Sequence, residues 1–146
     1  MFKKILLATD GSTSAESATK LAIDLANQHG AKLLALYVVD PYPYLGIGEV
    51  NPAGFTAYIQ AANAHAAKVH SDVLNLAQKS APNVTVECLL VEDTASSVGI
   101  VQTSSNQTCD LIVIGSHGRG GIGRLVLGSV ASKVVNESRV PVLVAR

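Results

Sequence analysis

The sequence has no surplus of charge of either sign, no cysteine pair at ligand spacing, no long apolar run and no internal repeat. Eleven Lys and Arg residues balance eleven Asp and Glu residues. That balance argues against a nucleic-acid partner, because phosphate-backbone affinity needs a clustered positive excess. Cys88 and Cys109 stand far apart and form no C-x-x-C pair, so they read as buried thiols and not as zinc or redox ligands. His65 and His70 lie five apart on a helical pattern, whereas ligands on a helix need a spacing of three or four, so both read as solvated. Met1-Phe2-Lys3-Lys4 has the basic start of a leader, but the apolar stretch from Ile5 to Ala8 meets Asp10 at once. It is too short for a secretory core or a membrane span, and the expected location is the cytoplasm, without membrane insertion. The G-x-x-x-x-G-K-[ST] phosphate loop and the G-x-S-x-G nucleophile turn are also missing.

What is present is an alternation of short apolar runs and amphipathic stretches. With 146 residues and 48% hydrophobic content, the chain from 1 to 146 has material for one domain with a sizeable core. Lys3 to Thr9 holds the run Ile-Leu-Leu-Ala, which suits a strand covered on both faces. Thr13 and Glu16 have capping-box spacing, Ala18, Leu21, Ala22, Leu25 and Ala26 follow on one helical face, and Gly30 stops the helix. Lys32 to Val39 reads as a second strand. Pro41 to Phe55, with three prolines and three glycines, reads as a loop in which Tyr42 and Tyr44 pack on their own domain together with the nearby Tyr58. A long helix closed by Pro82, a third strand from Val84 to Val91, a Ser-rich helix to about Gln107, a fourth strand at Leu111 to Ile114, a helix from Ser129 to Glu137 and a fifth strand from Val140 to Ala145 complete the chain. The expected class is α/β, a single doubly wound parallel sheet of five strands with helices on both faces.

The segment Gly115 to Val130, GSHGRGGIGRLVLGSV, occupies the turn between the fourth strand and the last helix. Its glycines remove side chains where a backbone would approach an anion, and they permit positive φ angles that turn several N–H groups one way. Gly128, Ser129 and Val130 would open the next helix, whose free N–H groups and positive dipole end favour an anion. Both halves suit a polyphosphate. Arg119 offers a permanent cation with fixed donors, His117 is placed to join it, and Ser129 can cap the helix and donate to phosphate together.

Gly115 and Gly118, then nine residues, then Gly128-Ser129 resemble the ATP-binding signature of the universal stress protein family. Ala8-Thr9-Asp10-Gly11-Ser12 and the closing Val140-Pro141-Val142-Leu143-Val144 extend the likeness over the whole chain. The resemblance implies strand order 3-2-1-4-5 and a site built from Ala8, Thr9, Asp10, Val38, Gly115, Ser116, His117, Gly118, Arg119, Gly128, Ser129 and Val130. It implies ATP, with magnesium held at Asp10 and adenine met by the backbone at Val38, and a homodimer joined through the last strand. Asp40 reads instead as serving the turn before Pro41. The implied function is an ATP-binding stress-response or signalling module, with a slow magnesium-dependent ATPase and a dimeric scaffold with an empty site as alternatives.

Overall fold

Apolar side chains stand at consecutive positions in the central strands because both faces of the sheet are covered. The computed structural model describes residues 1–43, 51–118 and 126–146. Strands β1 (Lys4–Ala8), β2 (Lys32–Val38), β3 (Val86–Val91), β4 (Leu111–Gly115) and β5 (Val142–Ala145) form one sheet, parallel throughout, in the order β3-β2-β1-β4-β5. Helices α1 (Thr13–His29), α2 (Pro52–Ser80), α3 (Ser96–Asn106) and α4 (Ser129–Glu137) fill the intervals. The α/β class and the strand order are those expected.

Alternation along each strand sorts the core into two layers. Ile5, Leu7, Leu33, Ala35, Leu111 and Val113 share one cluster with Ala18, Ala22 and Ile23 of α1 and with Val73 and Ala77 of α2. Leu6, Ala8, Leu34, Leu36, Ile112 and Ile114 share the other with Ile100 of α3 and with Ala131 and Val134 of α4. Each large aliphatic side chain buried completely here stabilises the fold by about 1.5–3 kcal/mol. The helix after β1 therefore lies on one face and the helix after β4 on the other, although the two strands are neighbours. A crevice opens at their carboxyl ends.

Local chemistry departs from the sequence reading at several points. Ser12, not Thr13, caps α1: its Oγ accepts the Ala15 N–H at 3.3 Å, while Glu16 pairs with Lys20 at 2.9 Å on the surface. The loop after Asp40 is shorter than expected because Asn51 caps α2, accepting the Gly54 N–H at 3.1 Å, and Pro52 supplies the first turn. β3 starts at Val86 and β5 at Val142, each two residues later than expected. Tyr42 packs edge-on against Phe55 and Tyr58, whereas Tyr44 lies outside the described residues. Cys109 is buried, and burial pushes its thiol up to about 11; Cys88 is exposed on β3, contrary to expectation, because β3 is an edge strand. Among the described residues no helix is long and apolar enough to cross a membrane.

The two α2 histidines are half-buried rather than freely solvated. His65 lies against Tyr37 and the β1 turn. His70 Nε2 is shielded from water with no hydrogen-bond partner among the described residues. Burial pushes the His70 imidazole below its ordinary value of 6.5, opposed by a smaller contribution from the Ala35 backbone. Folding thus disfavours the proton, so the stability tied to neutral His70 is complete above pH 6.5 and is lost as the pH falls toward the depressed folded value. On acidification from pH 7.5 to about 5.5, across the ordinary titration of histidine, the melting temperature of the parent should fall further than that of His70→Phe. Equal falls would show that His70 does not couple protonation to folding.

Candidate functional site

The register aligns three strand ends. Ala8 pairs with Leu36 on one side and Ile114 on the other, so the residues just beyond these pairs emerge together. They wall a cavity of about 420 Å³, within the size range of small-molecule sites. Ala8, Thr9 and Asp10 come from β1 and its turn, Val38 from the end of β2, Gly115, Ser116, His117 and Gly118 from β4 and beyond, and Gly128, Ser129 and Val130 from the start of α4. Each expected site residue that is described lines this one cavity, and Arg119 lies outside the described residues.

The β1 turn is built by short-range bonds. Asp10 Oδ1 accepts the Ser12 N–H at 2.9 Å, and Thr9 Oγ1 accepts the Gly11 N–H at 3.3 Å. Thr9 is 7% exposed, and its hydroxyl shapes the turn more than it faces the cavity. Gly11 takes φ +77°, where a Cβ would also lie 2.7 Å from Val69 Cγ2. At β2, the Thr9 N–H reaches the Leu36 carbonyl at 3.1 Å. Strand alternation turns the Val38 backbone to the same side, beyond the end of β1 and against the cavity.

The glycines divide into two kinds. A Cβ on Gly115 would lie 2.6 Å from Ser14 Oγ and 2.8 Å from the Ser14 carbonyl carbon, so this glycine lets α1 close on β4. Among the described residues, a Cβ on Gly118 would meet only Asp10 Oδ2, at 3.3 Å. Gly128 was expected to donate to a ligand, but its N–H donates to the Ser116 carbonyl at 2.7 Å, and its absent Cβ would lie 3.0 Å from that same oxygen. Gly128 is also the cap of α4, which displaces Ser129 into the first turn. The helical ladder begins with Ser132 N–H on the Gly128 carbonyl, and no side chain caps the helix. The N–H groups of Ser129, Val130 and Ala131 therefore have no acceptor among the described residues, and all three residues line the cavity.

Ser116 is held on three sides: its N–H donates to the Ala145 carbonyl at 2.7 Å, its carbonyl receives Gly128, and its Oγ lies 2.9 Å from His117 Nδ1. The His117 N–H donates to Ser14 Oγ at 3.2 Å. His117 Nε2 is shielded and has no partner among the described residues, a state that costs about 1–3 kcal/mol unless an acceptor or donor reaches it. Among the described residues there is no group of three or more His, Cys, Asp or Glu that could hold a metal. Asp10 contributes one carboxylate to the cavity wall, its Oδ1 accepting the Ser12 N–H.

The sequence reading missed Ala15, Tyr37, Asp40, Ser96 and Ile100, which also line the cavity. Asp40 does more than serve a turn. Its Oδ1 accepts both the N–H and the hydroxyl of Ser96, at 2.9 and 3.0 Å, and so caps α3 where Ala95 provides no side-chain acceptor. A helix start without a Ser, Thr, Asp or Asn cap was the available signal.

The model of the universal stress protein family matches residues 1–146. A universal stress protein of Thermus aquaticus is 37% identical over 100% of both chains. Among solved structures, the universal stress protein UspA of Lactobacillus plantarum superposes with a TM-score of 0.80 at 28% identity, covering 99% of this chain and 97% of that one. A family protein of Arabidopsis thaliana with AMP bound superposes with a TM-score of 0.70 at 19% identity, covering 98% and 90%.

Because Gly115 leaves no room between β4 and α1, Gly115→Ala should destabilise the fold by about 1–3 kcal/mol, the usual cost of overpacking. Urea unfolding measures this, and an unchanged midpoint would contradict the close approach.

Proposed function

Because the chain belongs to the universal stress protein family, we propose that it binds ATP and acts as a nucleotide-dependent stress-response or signalling module in the cytoplasm. The observation that carries this reading is the convergence of three strand ends with the unpartnered first turn of α4 on one cavity. The N–H groups of Ser129 and Val130 and the space beside Gly118 provide an anion-binding concavity. The backbone at Val38, beyond the end of β1, would offer donor and acceptor to the adenine edge, and Asp10 would be the residue to hold magnesium, which would neutralise phosphate charge. His117 Nε2 gains an acceptor when a phosphate oxygen reaches it. The AMP in the Arabidopsis relative supports an adenine nucleotide as the class of ligand.

Magnesium supplies charge neutralisation for the phosphates when bound, and the protein's part is to orient them. Asp10 and Asp40 are the carboxylates among the described residues of the cavity wall, and Asp40 is engaged with Ser96. Asp10 accepts the Ser12 N–H through Oδ1; we propose retention of ATP over rapid turnover, since rapid transfer needs a residue that orients the nucleophile as well as a metal ligand.

Gly118→Val separates ligand space from packing, because among the described residues a Cβ there meets only the Asp10 carboxylate. Calorimetric titration should show ATP affinity lost in a folded variant. Unchanged affinity would sink the assignment.

We also propose the homodimer through β5. Ile112 N–H and Ser116 N–H reach the carbonyls of Pro141 and Ala145, so alternation turns the backbones of Val142 and Val144 to the open edge. A second β5 could pair there across a two-fold axis. Leu143 and Val144 pack into opposite core layers, so charges at these positions would damage the fold as well as the edge. Val144→Pro removes an outward N–H while sparing the bonds to β4. Light scattering at micromolar concentration should find a dimeric parent and a monomeric folded variant; a monomeric parent would refute the pairing.

A further inference from the structure

α2 reaches the candidate site from behind. Its His65 places Nε2 3.0 Å from the backbone carbonyl oxygen of Asp10. A carbonyl oxygen only accepts, so Nε2 carries the hydrogen in this contact. The ring is set edge-on to Tyr37 at 5.7 Å, which fixes its plane. Gly11 makes the approach feasible, since a Cβ there would lie 3.4 Å from Nε2 and 2.7 Å from Val69 Cγ2, the side chain one helical turn further along α2.

The bonded carbonyl belongs to the peptide that starts the β1 turn. The same residue's Oδ1 is tied to the Ser12 N–H at 2.9 Å, and its Oδ2 lies 3.3 Å from the position of a Gly118 Cβ. Asp10 is therefore held at its backbone by α2 and at its carboxylate by the start of α1. A change in ψ of Asp10 would swing the bonded carbonyl away and displace the Ser12 N–H that holds the carboxylate. From this arrangement we propose that His65 is a positioning residue of the nucleotide site, which holds the Asp10 carbonyl so that the carboxylate faces the phosphate loop. This rests on the nucleotide reading above. It makes affinity for the magnesium-phosphate end of the ligand dependent on α2, a helix that supplies none of the residues lining the main cavity.

His65→Phe keeps a ring against Tyr37 and removes the donor; His65→Gln restores an N–H at the reach of Nε2. Titration with magnesium-ATP should show His65→Phe weakened about tenfold, the loss expected of one positioning hydrogen bond, and His65→Gln close to the parent. Adenosine, which lacks phosphates, should bind parent and both variants alike. A parent that binds neither ligand overturns the nucleotide reading itself. A parent that binds magnesium-ATP while His65→Phe matches it overturns the positioning role alone, as does an equal loss of adenosine and magnesium-ATP. A measurement on the unaltered protein does not depend on the variants folding: nitrogen-15 histidine spectra should show His65 with its hydrogen on Nε2 and a change in that resonance on adding magnesium-ATP. A hydrogen on Nδ1, or a resonance indifferent to the ligand, overturns the proposal.

Discussion

The bond from the Gly128 N–H to the Ser116 carbonyl, 2.7 Å long, determines what the rest of the crevice can be. It ties the start of α4 to the residue that follows β4. Ser116 itself is anchored to β5 through Ala145 and to α1 through the Ser14 contact of its neighbour His117. The helix N-terminus therefore inherits the rigidity of the sheet. An anion site needs donors that are held in place before the ligand arrives, and donors fixed to a sheet lose little freedom on binding.

Close approach is the second condition, and it explains why glycine recurs with different meanings. At Gly115 the missing side chain admits α1, at Gly11 it admits α2 and permits φ +77°, and at Gly118 it leaves space beside Asp10. The first two are paid back in packing energy whether or not a ligand exists. Gly118 has no comparable packing partner, and its neighbour is a carboxylate. The energetic case for a ligand therefore rests on Gly118 and on the α4 first turn, not on the number of glycines.

Much of the fold was legible because its signals are periodic and local. Continuous apolar runs in β1, β2 and β4 mark a sheet covered twice, and Gly30 in the left-handed region ends α1 as its position suggested. The strand order came from the family likeness, since periodicity carries no information on which strands are neighbours. Errors arose where a residue's partner lies far along the chain. Asp40 caps a helix 56 positions later, and His65 bonds a carbonyl 55 positions earlier. Histidine spacing on α2 could not reveal that one face of that helix meets the β1 turn. Cys88 failed for a related reason: burial of a thiol depends on whether its strand lies at the edge.

Some of the places where the structure breaks ordinary rules lie at the candidate site. The buried Thr19 hydroxyl donates to the Ala15 carbonyl at 2.7 Å, whereas Asn63 Oδ1 and His70 Nε2 on α2 are shielded without a partner among the described residues. Around the crevice, α4 lacks a side-chain cap and His117 Nε2 lacks a partner among the described residues. A glycine at the cap gives up only a few tenths of a kcal/mol relative to Ser, Thr, Asp or Asn. A glycine cap supplies the turn without occupying the donors. Replacing Gly128 by one of those residues would add a Cβ 3.0 Å from the Ser116 oxygen, so the stabilising choice is closed by the same bond that positions the helix. The donors remain available because the geometry that aims them also forbids their internal satisfaction, which links the packing of the loop directly to its capacity for an anion.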